Sequence, residues 1–434
     1  MAAIAPASHF IPTMAPVHGH VKLTDLPNEL LLDILEFSPD MPSLMNAAHA
    51  HPTLYYLVHR YQQNLVTKAL KRELPEAIYT HAHVAFQRSP ISLGTPENLT
   101  ENHITNVFRA ITSFKEDSLP SLKSNIADAM QISQIHHKVV DLTEVYLREC
   151  FECRDQHFAP LQLSLTKRNP SEGERIRIQQ GIYLFEIIRK ACQEMYVDKD
   201  RGREYYIESY AKLAVLHHSL MDHLLAPWEM HQVIAIQAFF RRSLHGFGRD
   251  ETLSERVMPG LLNLGIPFLH KALHTMKNSE RDDFLRPYEE EVLKKPIHAI
   301  GMVLSRGTRG AWTRQQPRPF ATYKRFGNGD ANGIRMWEKI EAKQLAIAVD
   351  NALWNDMFDS DQSRLEGRLD LWSAALWDEE RWEDILQTLS RPEPDCWKDI
   401  QHHCEPMELG FYISRQAGQQ VGQQAWMRNE SVEG

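Results

Sequence analysis

A chain of 434 residues exceeds the length at which a single core usually stops growing, so two or three structural units are expected. Its 43% hydrophobic and 24% charged residues exclude a wholly disordered polypeptide, and its net charge of -9 argues against indiscriminate nucleic-acid binding. Five cysteines without regular spacing point to free thiols in a reducing compartment, and no structural disulfide is expected.

The first stretch, MAAIAPASHFIPTMAPVHGH, has three prolines and no basic flank, so residues 1–20 read as a disordered tail and not as a signal peptide. No later stretch approaches the roughly 20 consecutive apolar residues of a spanning helix. No membrane partner is expected, and the compartment implied is cytoplasmic and/or nuclear.

Residues 26–37, LPNELLLDILEF, open the folded part. Leu30, Leu31, Ile34 and Leu35 keep the spacing of an inward-facing helical stripe, while Leu32 and Phe37 fall outside it. Pro27 suits the first helical position, and Glu29 puts a negative charge near the positive end of the helix dipole. The helix thus carries more apolar surface than one buried face requires. Pro39, Pro42 and Pro52 then delimit two further helices, giving a three-helix unit over 21–70.

Strand signals are scarce beyond that point, and the fold class predicted is all-α, with a large irregular helical domain over 71–415. Helical spacing recurs near 100–115, 121–158, 172–198, 203–225, 228–245, 252–276, 334–358 and 365–390. Gly and Pro become frequent over about 296–333, which marks a long loop, and 416–434 reads as a flexible C-terminal tail. No repeat of 20 to 50 residues stands out.

The stretch LTDLPNELLLDILEF, followed by a short helix and then AHAHPTLYYLVHRYQQNLVTKAL, resembles the F-box-like domains of filamentous-fungal proteins. RIRIQQGIYLFEIIRKAC, LLAPWEMHQVIAIQAFF and LWSAALWDEERWEDI are similar to the helical region that often follows in such proteins. The resemblance implies a docking module clasped by the Skp-type adaptor of a cullin ubiquitin ligase, with a helical region that recruits a protein substrate. It carries Leu26, Pro27, Leu30, Leu31, Ile34, Leu35, Pro52 and Leu54 over as adaptor-docking or core positions. His51-Pro52-Thr53-Leu54 stands where many F-boxes have an Arg-Trp pair. The residues alone leave a second reading open, in which the same leucines close the N-terminal unit and bind nothing; a scaffold that keeps the F-box-like fold without a cullin would fit it.

No catalytic residue emerges. Cys150-Phe-Glu-Cys153 and His157 have a spacing that zinc can use, with His402-His403-Cys404 as further ligands, but the stretch reads as continuous helix, where paired cysteines pack as small apolar residues. Asn328-x-Asp330-x-Asn332-Gly333 imitates the start of a calcium loop, yet Lys339 occupies the place of the bidentate glutamate. His217, His218 and His223 lack an H-E-x-x-H pattern, and neither a phosphate-binding loop nor a nucleophile elbow is present. Metal and cofactor are therefore assigned as none, and the chain as a non-enzyme. Trp337, Ile340, Ile347, Trp354, Phe358, Trp372, Trp377 and Trp382 read as packing residues, with a solvated acidic turn at Asp378–Glu380.

Residues 292–329 contain Lys294, Lys295, Arg306, Arg309, Arg314, Arg318, Lys324 and Arg325 and no acidic residue, so this segment is +8 and leaves -17 for the rest. With Trp312, Phe320, Tyr323 and Phe326 interleaved, it combines cations with stacking surface, which suits an acidic or phosphorylated partner and, as a third alternative, single-stranded nucleic acid. Pairing of these arginines with surrounding acidic helices accounts for the same pattern. Arg306, Arg309, Arg314, Arg318, Lys324 and Arg325 are the candidates for acidic-partner binding.

Overall fold

A computed structural model describes residues 23–86, 125–151, 168–191, 196–197, 227–245, 257–274 apart from 259, 278–293, 297–298 and 376–384 apart from 382. The predicted all-α class holds for these residues. The described residues include the helices α1 Asn28–Glu36, α2 Met41–Ala50, α3 Pro52–Arg60, α4 Gln62–Glu73, α5 Glu76–Phe86, α6 Ile126–Phe151, α7 Glu172–Ala191, α8 Pro227–His245, α9 Ile266–His274 and α10 Asn278–Leu293. A 3-10 turn, Leu23–Asp25, precedes them. The extended residues described are the two-residue strands β1 Tyr196–Val197 and β2 Ile297–His298, paired antiparallel. No described helix is long and apolar enough to cross a membrane.

The chain divides into two units, residues 1–74 with 123–133, and residues 75–122 with 134–434. In the first, α2 packs on α3 and α4, and α1 on α3 and α4. Leu31, Leu35, Met41, Leu44, Leu54, Leu57, Val58, Leu65, Val66 and Leu70 form its buried interior.

Local chemistry sets the helix starts here. Pro27 lies just ahead of α1, and its carbonyl accepts from the Leu31 N–H at 3.1 Å. Asp40 caps α2 by accepting from the Ser43 N–H at 2.7 Å, and His51 Nδ1 caps α3 by accepting from the Thr53 N–H at 3.2 Å. Glu73 then joins three segments: its carboxylate accepts from the Met41 N–H at 3.1 Å and from the Ser133 hydroxyl, in the second turn of α6, at 2.5 Å.

The predicted third helix is two helices. The chain turns at Tyr61 (φ -111°, ψ 23°) with neither Gly nor Pro to announce it, so the N-terminal unit has a fourth helix and runs to residue 74.

The second unit is organised around α7, which packs against α5 on one side and α8 on the other. Gly181 permits the approach to α8, since a Cβ there would stand 2.9 Å from Ile236 Cγ1 and 3.2 Å from the Gln232 carbonyl. Tyr146, Tyr183, Phe185, Trp228, Phe239, Phe240 and Trp377 fill the core. Ser171 and Glu174 form a capping box at the start of α7: the Ser171 hydroxyl accepts from the Glu174 N–H and the Glu174 carboxylate from the Ser171 N–H.

Other boundaries differ from the sequence reading. The predicted 252–276 helix is interrupted at Asn263–Gly265, where Gly265 adopts φ 80°, and α10 (278–293) forms despite Pro287 in its interior. The helices predicted near 100–115 and 203–225 and over 334–358 lie outside the described residues.

Candidate docking site

The first helix settles which of its apolar residues face inward. Leu31 and Leu35, four apart, are buried, and α1 packs on α3 and α4. Leu30 and Ile34 are not part of that stripe: they are 48% and 45% exposed, and Phe37, one further turn along the same face, is 77% exposed. The sequence placed all four leucine and isoleucine positions on one inward face. The structure divides them, because nine residues make about two and a half turns and a helix lying on its neighbours by one side buries only the rows pointing at them.

The other predicted docking positions divide likewise. Leu54 is buried and belongs to the core. Leu26 is half-buried, and Pro27 and Pro52 are exposed at helix starts, where their fixed backbone has an evident local role. Phe37 lies off the stripe that the sequence spacing defines. The signal that identifies it is the spacing Leu30, Ile34, Phe37, which is i, i+4, i+7 on one face.

The C-terminal end of α1 is held firmly. Arg72 from α4 donates to the Glu36 and Ser38 carbonyls, placing a cation at the negative end of the helix dipole, and its guanidinium lies 5.5 Å from the Phe37 ring centroid. The Glu36 carboxylate accepts from Asn64 at 2.7 Å and pairs with Lys68 at 2.5 Å. The hydrogen bond from Lys68 holds this carboxyl below the usual range. Exposed Glu29 and Asp33 border the apolar face, so it is an apolar row with an acidic margin.

A second exposed group belongs to α3 and its end. Tyr55, Tyr56 and Tyr61 are all exposed, and Arg60 lies 5.8 Å from the Tyr56 ring, 5.6 Å from the Tyr61 ring, and donates to the Tyr56 hydroxyl at 2.9 Å. The Tyr55 and His59 rings lie 4.2 Å apart, tilted by 43°.

Of the remaining candidates, Cys150 is a buried free thiol. Cys153, His157, the three histidines near 220, the loop around Asp330, His402–Cys404 and the basic residues Arg306, Arg309, Arg314, Arg318, Lys324 and Arg325 lie outside the described residues. Trp377 is fully buried, as expected. The acidic turn after it is not simply solvated: Asp378 accepts from Arg177 and donates its N–H to Glu174 at 3.0 Å.

Searches against protein-family models, curated proteins and solved structures return no match to this chain.

Proposed function

We propose that the protein is a non-enzymatic adaptor: its N-terminal helices dock to the Skp-type subunit of a cullin ubiquitin ligase, and its larger helical unit recruits a protein substrate. The observation that supports this reading is the outward row of Leu30, Ile34 and Phe37, an apolar face left over after Leu31 and Leu35 have closed the core. Such a face suits a helix-in-groove contact read at i, i+4 and i+7. Ubiquitin transfer would occur on other subunits, with this chain supplying proximity and orientation.

Magnitudes set the scale of the contact. Full burial of a Leu, Ile or Phe side chain contributes about 1.5 to 3 kcal/mol, and Leu30 and Ile34 are already half-covered, so the row contributes roughly 3 to 6 kcal/mol gross. Association costs about 4 kcal/mol or more. The row is therefore an anchor, and the partner must reach further residues such as Leu23 and the α3 tyrosines. The acidic margin of Glu29 and Asp33 favours a groove with basic edges.

Co-purification of the tagged chain with the Skp-type subunit and cullin tests the proposal, run beside Leu30→Glu, Ile34→Glu. That pair leaves Leu31 and Leu35 in place, so helical content should be retained. Recovery by the wild type and loss by the folded variant is the expected outcome. Failure of the wild type to recover the ligase subunits would return the protein to the scaffold reading.

A further inference from the structure

On α9, His270 and His274 stand one turn apart, with ring centroids 5.1 Å from each other, and Asp141 from α6 meets them. His270 Nε2 lies 3.0 Å from Asp141 Oδ2, and one ligand atom from each of the three side chains lies within 4.8 Å of the others. The geometry points to a divalent metal site of two imidazoles and one carboxylate, taking zinc(II) or a neighbouring late first-row cation and linking α6 to α9.

Three features carry this assignment. The ligand set is chemically apt: two neutral nitrogens and one anionic oxygen suit zinc, cobalt, nickel or copper, whereas calcium and magnesium prefer all-oxygen shells. The backbone positions are fixed by packing, since Val139 and Leu142 flank Asp141 in the core and Leu269, Ala272 and Leu273 of α9 are buried. The site is also reachable, because the His270 side chain is 22% and that of Asp141 48% exposed. Zinc ligands at about 2.0 to 2.2 Å stand roughly 3.4 Å apart across a tetrahedron, so His270 and Asp141 are already close enough and exposed His274 closes the rest by side-chain rotation. Three protein ligands leave the fourth position to water or an incoming group. Lys271, next in sequence to His270, lies over the Phe284 ring at 4.9 Å, so its cation is occupied elsewhere.

The sequence hid the site. His270-x-x-x-His274 carries no adjacent glutamate of the hydrolase pattern, and its third member precedes His270 by 129 residues.

Calorimetric titration of the full chain with zinc(II), and with cobalt(II) followed by its visible absorption, tests the site. One equivalent should bind at micromolar or tighter affinity. His274→Ala should weaken it by more than about a hundredfold, and Asp141→Asn, which keeps the bond to His270 but removes the anion, by about tenfold or more. Circular dichroism checks both variants, and His274→Gln replaces the alanine form if that loses helix. Absence of a bound equivalent, or unchanged affinity in either folded variant, would overturn the site and leave a His–Asp hydrogen bond only.

Discussion

Arg381 donates from Nε and Nη2 to the two carboxylate oxygens of Glu174, 207 residues earlier in the chain, at 2.7 and 3.0 Å. Both side chains are almost wholly buried. The same guanidinium donates to the Arg168 and Asn169 carbonyls at 2.9 Å and lies 5.3 Å from the Phe151 ring and 5.7 Å from that of Trp377. Within the second unit, the short segment around 376–384 is thereby fastened to the start of α7. Removing one partner leaves a buried, uncompensated charge, so Arg381→Ala should cost about 3 to 5 kcal/mol in urea denaturation. Ser171→Ala, which removes the capping hydrogen bond and the hydroxyl's bond to Asp378 but leaves no buried charge, should cost about 1 to 2 kcal/mol.

The two faces of α1 should separate in experiment. Leu31→Ala or Leu35→Ala removes core volume and should lower stability by about 2 to 5 kcal/mol. Leu30→Glu or Ile34→Glu acts on the half-covered outer side of the helix and should lower stability by about 1 kcal/mol, less than either core change. Equal losses from both pairs would mean that the assignment of faces is wrong.

Two glycines should resist substitution for different reasons. Gly181→Ala forces a methyl against Ile236 and the Gln232 backbone and should cost about 1 to 3 kcal/mol, because two helices must move apart. Gly265→Ala suffers twice: its φ of 80° disfavours any Cβ, and that Cβ would stand 2.8 Å from Nε of Arg189, whose guanidinium already bridges Glu186 and the Asn263 carbonyl. Thermal melts of both variants check the expected loss.

Acid should destabilise the second unit through His136. Burial, with a smaller contribution from the nearby charge of His137, pushes its pKa down to about 4. Its Nδ1 lies 3.1 Å from the Tyr183 hydroxyl. The unfolded state therefore takes up this proton first, near pH 6.5, and stability falls as the pH drops from there to about 4, by up to roughly 3 kcal/mol. Below pH 4 both states are protonated and this contribution stops growing. His136→Gln should flatten the dependence of the urea midpoint on pH across that window; an unchanged slope would assign the loss to other groups.

How far the sequence carries can be argued from α1 and α9. The spacing in LPNELLLDILEF was enough to place a helix, and Pro27 and Glu29 to place its start. It did not say which row turns inward, because Leu30/Ile34 and Leu31/Leu35 satisfy the same periodicity and the choice belongs to the helices that pack on one side. The turn at Tyr61 is written in no local residue preference, whereas the one at Gly265 is marked by a glycine set within an apolar run. Local sequence argues against α10, because it contains Pro287 and a proline usually breaks a helix interior. The Asp141–His270–His274 group lay beyond any spacing rule, since its members meet only through the packing of two helices.

The bond between Ser133 and Glu73 bears on how the chain is made. A ribosome delivers the N-terminus first, at about 5 to 20 residues per second, so the 60 residues separating the pair take roughly 3 to 12 s to follow. During that interval the four nascent helices lack Ser133 and the buried Ala129 and Ile132 that belong to their unit. The unit that begins first is completed late, and a translation arrest before residue 133 would release it with its last surface still open.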